Sequence, residues 1–452
     1  MPVSVCRNGL KLRDLKAQNI IASAGVLALG MSGVRGANLT GLGTQEQAKR
    51  WTVEGQLGFF YDDNSLNSAV SPVATWGFEI APRLALNLPL ERTVIKSSYD
   101  LRLDYYDKRV NHHVDYEQQF DVRANHKFSE RSTLDFDETL ISASQPEVTG
   151  TGAQTTFIKG DRTDYSHWRN YLKMYYDLRL SGTIGASVGF RNYLYDYKQD
   201  GIGGLSSLLD RDENEAFIEA QAFPAEHTKV FIGYMYAFTH YSSQDPLVSY
   251  VPATSVVTNG GVITTNVVLF QQTASPSVRD SHSHYVYVGG QRIFSPRLTG
   301  SASLGARYTD YYNQGISELS PYVDISGTAN YLPGSTLQIG TKVDRNATDS
   351  GLGTNGVITL DQLSTSVYLG VRHRLTPRFF VTGNIRYQHS VYNGGDFDGQ
   401  ADDYVAFSPG VEYMISQNFW ATANYTREDL LSDRPDRTFG KNRVFFGIRA
   451  AY

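Results

Sequence analysis

The chain contains one cysteine, Cys6, so no disulfide can form within it. It also lacks any apolar run near the ~20 residues a helix needs to span a bilayer, which excludes a polytopic helical membrane protein. Charged residues are scarce at 19%, and the 41 basic side chains stand against 46 acidic ones without gathering into runs or stripes. Nucleic acid is therefore not expected as a partner. No Gly-x-Ser-x-Gly elbow is present, and no catalytic constellation or cofactor motif stands out, so neither an enzyme nor a cofactor is expected.

What is present is aromatic and alternating. Among 452 residues there are 30 Tyr, 22 Phe and 41 Gly, and hydrophobic residues make up 41%. That much apolar and aromatic surface demands burial, which rules out a disordered chain. Residues 1–36 read as a secretory signal peptide: Arg7, Lys11, Arg13 and Lys16 precede a small-to-apolar stretch from Ile20 to Met31, with small-residue cleavage points at Gly36-Ala37. Cys6 lies before the apolar stretch, so lipidation is not indicated. Residues 37–50 form a short periplasmic segment, too short for a folded plug, and residues 51–452 form a single domain.

From Trp51 onward the apolar signal repeats with period two. In Thr299–Thr309, Ser301, Ser303, Gly305 and Arg307 share one face, and Ala302, Leu304, Ala306 and Tyr308 share the other. Ser364–Arg374 alternates in the same way, and in Tyr165–Asp177 one face carries His167, Arg169, Lys173 and Asp177. Tight turns such as Phe294-Ser295-Pro296-Arg297, Leu332-Pro333-Gly334-Ser335 and Ile415-Ser416-Gln417-Asn418 alternate with longer polar loops. The pattern predicts about 18 antiparallel strands, or 16 if the weakly patterned stretch Glu213–Tyr241 is misread by one hairpin.

An open meander of that length would leave two unprotected edges, whereas closure pairs the first strand with the last. The fold expected is all-β: one transmembrane, up-and-down β-barrel of the bacterial outer membrane, with short periplasmic turns and longer extracellular loops. Its surroundings would be outer-membrane lipid and lipopolysaccharide. Val444, Phe446, Ile448, Ala450 and Tyr452 alternate along the final strand. They resemble the C-terminal signal read by the barrel-assembly machinery, where Phe is more usual than Tyr.

With the lipid face apolar, the opposite face lines a lumen. The candidates are Asp100, Arg102, Asp104, Asp135, Asp137, Arg169, Lys173, Arg191, Arg307, Lys342, Arg372, Arg374, Arg386, Arg443 and Arg449, interleaved with Ser, Thr, Gly and Tyr. They either border a polar passage or pair across strands in a wet, non-conducting interior, and both signs are present. His282 and His284 share a face as a metal pair could, or as plain rim residues. Asp396, Asp398, Asp402 and Asp403 crowd one loop that could hold Ca²⁺ or stay solvated. In the longest loop, Ser242–Arg279, Asn259-Gly260 lies between β-branched runs and predicts a hairpin: a lid, a constriction or an outward extension.

Units such as Phe294-Ser295-Pro296-Arg297-Leu298-Thr299-Gly300-Ser301-Ala302-Ser303-Leu304-Gly305-Ala306-Arg307-Tyr308 give the chain its family likeness. In this repeated hairpin style it resembles the putative β-barrel porin 2 family. The resemblance implies the membrane conduit of an exopolysaccharide exporter, working with a periplasmic polysaccharide-export protein, and transfers no catalytic residues. The residues themselves leave open a general or solute-selective diffusion porin and a non-conducting scaffold or enzyme.

Overall fold

The structure is a computed structural model that describes residues 49–109, 112–144, 164–259, 262–353, 355–434 and 437–452, with side chains of 252–268 left aside. The expected signal peptide and most of the segment after it lie outside the described residues.

Twenty strands follow one another: β1 (Trp51–Asp62), β2 (Thr75–Pro89), β3 (Thr93–Tyr106), β4 (Val114–Lys127), β5 (Ser132–Ala143), β6 (His167–Arg179), β7 (Ile184–Tyr197), β8 (Arg211–Ala225), β9 (Thr228–Tyr241), β10 (Leu247–Asn259), β11 (Val262–Ala274), β12 (Ser281–Ser295), β13 (Leu298–Tyr311), β14 (Ile316–Leu332), β15 (Ser335–Asn346), β16 (Asp361–Arg374), β17 (Phe379–Asn393), β18 (Ala401–Met414), β19 (Phe419–Ser432) and β20 (Phe439–Ala451). All but β10 and β11 form one 18-stranded antiparallel sheet in which each strand pairs with its neighbours in order, β9 pairing with β12. A short helix, α1 (Leu205–Leu209), lies between β7 and β8.

The sheet closes on itself. β1 pairs with β20 from Glu54↔Ala451 to Asp62↔Arg443, and Tyr452 donates its backbone N–H to the Val53 carbonyl at 2.9 Å. No edge strand remains in this ring, so its backbone groups are satisfied within the sheet, as a hydrocarbon solvent requires.

Cross-strand partners share a face, so one exposed position fixes the direction of its neighbours around the ring. Leu57 and Phe59 of β1 are 63% and 60% exposed, and they pair with Ile448 and Phe446 of β20 and with Ile80 and Phe78 of β2, all exposed. The alternate residues Thr52, Phe60 and Asp62 are buried. The outward face continues through Val286, Leu304, Ile339, Val367 and Val405. So wide a band of bare aliphatic and aromatic side chains is unfavourable against water and suited to lipid. Among the described residues no helix is long and apolar enough to cross a membrane.

The tight turns and the paired ends of β1 and β20 lie at one rim, and the longer connections lie at the other, called here the loop rim.

Candidate functional site

The inward face of the ring is the candidate site. The register places there all the lumen candidates named above, from Asp100 and Arg102 on β3 to Arg443 and Arg449 on β20. Asp135, Asp137, Arg169, Lys173 and Arg191 lie inward on β5, β6 and β7. Arg307, Lys342, Arg372, Arg374 and Arg386 do so on β13, β15, β16 and β17.

These charges are largely matched against one another. Arg83 lies 3.3 Å from Asp100, Arg123 3.4 Å from Asp137, Arg191 3.0 Å from Glu215 and Arg307 2.9 Å from Asp344. Arg372 meets Glu412 at 2.9 Å, Arg449 meets Glu54 at 3.6 Å, and Arg102 pairs with Glu117. Arg443 reaches both Glu79 and Asp104 at 3.3 Å. Between the ion pairs lie hydroxyl and amide groups. The Tyr175 hydroxyl donates to Glu219 at 2.9 Å, and Gln221 donates to Ser187 at 2.7 Å and to Asp177 at 3.0 Å. The wall is dense in hydrogen-bonding groups, with positive and negative charge compensated locally.

The lining is layered. Inward glycines leave flat places on which rings of adjacent strands lie: a Cβ on Gly77 would meet the Phe60 ring at 2.1 Å, one on Gly189 the Phe217 ring at 2.1 Å, and one on Gly58 the Phe445 ring at 2.3 Å. Arginines then cover the rings. Arg443 lies 3.7 Å from the centroid of Phe60, Arg372 4.1 Å from Phe380 and Arg191 5.0 Å from Phe217. The rings are thereby buried against the wall, and the guanidinium planes and their carboxylates face the interior.

The loop rim is closed inward by side-chain clusters that sequence reading missed. Tyr193, Tyr195 and Tyr197 of β7 pack on Leu205, Leu208 and Leu209 of α1 and on Leu247. Tyr311 of β13 packs on Ile358 and Leu360. Arg437 is buried between Asp349, at 2.7 Å, and Asp402, at 3.1 Å. Arg109 pairs with Asp115 at 2.6 Å and donates to the Ser65 carbonyl. Ile358, Leu360, Asp349 and Arg437 lie in connections far in sequence from Tyr311 and Asp402, the strand residues they meet, and Arg109 meets Asp115 from irregular backbone, so no period announces these contacts.

The two metal candidates are not assembled. Asp402 faces inward, where it accepts from Tyr392 at 2.6 Å, while Asp403 faces outward and accepts from Tyr387 at 2.7 Å. Asp398 accepts from the Gly394 backbone and Asp396 from the Asn355 backbone. The four carboxylates therefore do not converge, and among the described residues no group of three or more potential ligands exists. His282 and His284 face outward in an aromatic belt: His282 stacks on Tyr236 and Phe238, and His284 is hydrogen-bonded to the Tyr234 hydroxyl at 2.7 Å. The outward face of β20 carries Val444, Phe446, Ile448, Ala450 and Tyr452, with Phe446, Ile448 and Tyr452 more than half exposed.

Asn259-Gly260 does mark a hairpin: β10 and β11 form a separate two-stranded sheet that pairs with no strand of the ring. Near its base Tyr250, Leu269 and Phe270 are exposed. Beyond the strands, burial and then the nearby carboxylates Asp196 and Asp200 push the Asp210 carboxyl up to about 7, against one hydrogen bond from the Tyr197 N–H.

No curated protein matches the chain in sequence. The outer membrane protein opdK from Pseudomonas aeruginosa superposes with a TM-score of 0.41 at 11% identity, covering 89% of this chain and 99% of its own. OccAB4 from Acinetobacter baumannii gives 0.41 at 12%, covering 89% and 98%. A BenF-like porin from Pseudomonas fluorescens Pf-5 gives 0.43 at 9%, covering 89% and 99%. Residues 263–452 match the model of the family Putative beta-barrel porin 2, and the Phe294–Tyr308 unit falls inside that match. With its closed ring, outward apolar band and polar inner wall, the protein is a porin-like β-barrel of the outer membrane.

Proposed function

We propose that the barrel is the outer-membrane conduit of an exopolysaccharide export system, acting with a periplasmic polysaccharide-export protein. The observation that carries this reading is the inner wall, where cationic and anionic side chains compensate one another pair by pair among hydroxyl and amide groups. A polyhydroxylated chain finds hydrogen-bond donors and acceptors all along such a surface. It meets no single deep electrostatic trap, the balance that conduction requires. The family likeness supports the same reading.

The test is deletion of the gene in its host, scored for surface polysaccharide and for small-solute uptake. The exporter reading expects polysaccharide to be lost and uptake to be unchanged. Reduced uptake with normal polysaccharide would instead identify a diffusion porin. Cross-linking from the turn rim should recover a periplasmic polysaccharide-export protein.

A further inference from the structure

Residues 347–353 and 355–360, between β15 and β16, are a meeting point of four other connections at the loop rim. Gly351 abuts Leu208 of α1 and Leu247 of β10: a Cβ built there would lie 2.9 Å and 3.1 Å from their methyl groups. Gly353 abuts Asp396, and Gly356 abuts Gln272 of β11. Gly395 has φ 74°, which favours glycine, and a Cβ there would strike the Thr359 hydroxyl at 2.5 Å and its N at 2.8 Å. The segment thus reaches connections that leave the ring at β7, β9, β17 and β19. Packed on Tyr311, an inward residue of β13, it lies over the opening and not outside the wall.

Within the segment, Thr348, Asp349 and Ser350 are held from two sides. From one side come Arg437, whose Nη1 donates to both carboxylate oxygens of Asp349 at 2.8 and 2.7 Å, and Arg434, which donates to the Ser350 hydroxyl. From the other comes Arg279, which donates to the carbonyls of Thr348 at 3.3 Å and Ser350 at 3.5 Å. The same guanidinium donates to the carbonyls of Ser207, at 3.3 Å, and Leu208, and lies 4.1 Å from the Tyr241 ring. Arg279 is 1% exposed, and among the described residues no carboxylate lies within ion-pair distance of it.

A buried cation solvated by carbonyl dipoles gives up much of its hydration to hold two segments together. When those segments part, water restores what the carbonyls supplied. Such a contact costs little net free energy to open, whereas a well-packed apolar seal or a fully paired ion pair does not share that balance.

We propose that residues 347–353 and 355–360 form a strap closed across the loop rim and that Arg279 is its latch, so the barrel rests narrowed and admits large solutes only when strap and α1 separate. The strap narrows the passage whether the cargo is a polysaccharide or a small solute, so its test is independent of the export reading.

Single-channel recording of the purified full chain in planar bilayers tests it, with heat-modifiable migration in gels verifying folding. Arg279→Met should raise mean conductance at least twofold, and correctly folded R279M with the parent conductance overturns the latch. A second variant does not depend on R279M folding: Leu208→Cys with Gly351→Cys, bridging α1 to the strap. Reduced, this pair should show intermittent openings to a larger conductance, and oxidation should abolish them. Identical traces in both redox states overturn the strap.

Discussion

The guanidinium of Arg443 lies 3.7 Å from the centroid of the Phe60 ring while its Nη2 reaches Glu79 and Asp104, both at 3.3 Å. One side chain therefore caps an aromatic ring on β1 and neutralises carboxylates on β2 and β3, lacing three strands together beside the seam where β20 meets β1. Arg443→Met keeps the bulk but leaves two carboxylates buried without their cation. Breaking a buried pair in this way costs about 3–5 kcal/mol. Urea titration of the refolded protein in detergent should show the loss, and Glu79→Gln in the same chain should recover part of it. The reversal potential of R443M channels in a salt gradient should shift toward cation preference.

Gly189 tests the layered wall. A methyl there would sit 2.1 Å from the Phe217 ring, which must lift off β7 and carry Arg191 with it. Overpacking of this kind costs about 1–3 kcal/mol. Gly189→Ala should therefore lower both the urea midpoint and the conductance, since the displaced ring has only the lumen to enter. A conductance equal to the parent's would mean that the ring does not border the passage.

Neighbouring residues of β17 should respond oppositely to charge. Ile385 faces outward and is 43% exposed, whereas Arg386 faces inward. An arginine placed on the lipid face near mid-membrane costs about 2–4 kcal/mol. Ile385→Arg should show that loss when unfolded from liposomes. Ile385→Leu should be close to neutral, and equal stability of the two would show that this face does not meet hydrocarbon.

Asp210 should make stability at the loop rim depend on pH. Its carboxyl titrates near 7 in the folded protein, above the ordinary value of 3.8, chiefly because burial disfavours the charged form. The protonated form thus favours the fold: its contribution is fully present below about pH 4 and is lost as pH rises through 7. Asp210→Asn keeps an acceptor for the Tyr197 N–H and removes the titration. The variant should lose stability less than the parent between pH 5 and pH 8, measured as thermal midpoints of the barrel in detergent. A parental pH dependence in the variant would assign the effect to another group.

The ring was largely legible because alternation is a local signal. The faces read in Thr299–Thr309 and Ser364–Arg374 match those of β13 and β16, and the Asn259-Gly260 hairpin was announced by its turn chemistry. Glu213–Tyr241, the stretch that left the count open, divides into β8 and β9 as the higher count requires. The mouth was not legible. Arg279 meets Leu208 across 71 residues and Arg437 meets Asp349 across 88, and irregular backbone offers no period from which to infer such approaches. The aspartates, which could hold Ca²⁺ or stay solvated, show the limit from the other side: closeness in sequence puts Asp402 and Asp403 together, but on a strand adjacent residues face opposite ways. The ring-over-glycine lining lay between these cases. Inward glycines could be read from alternation, but their aromatic partners required the cross-strand register.

The lining separates two properties of a barrel that strand number usually ties together. Strand number and stagger fix the radius of the backbone cylinder, but rings lying flat on Gly58, Gly77 and Gly189 make the free bore larger than side chains standing upright would leave. Evolution could therefore retune the calibre of this tube by exchanging glycine and alanine along the inner face, one position at a time, with the hydrogen-bond ladder and the lipid-facing band untouched. Relatives that handle cargoes of different girth would then differ at these small residues before they differ in architecture.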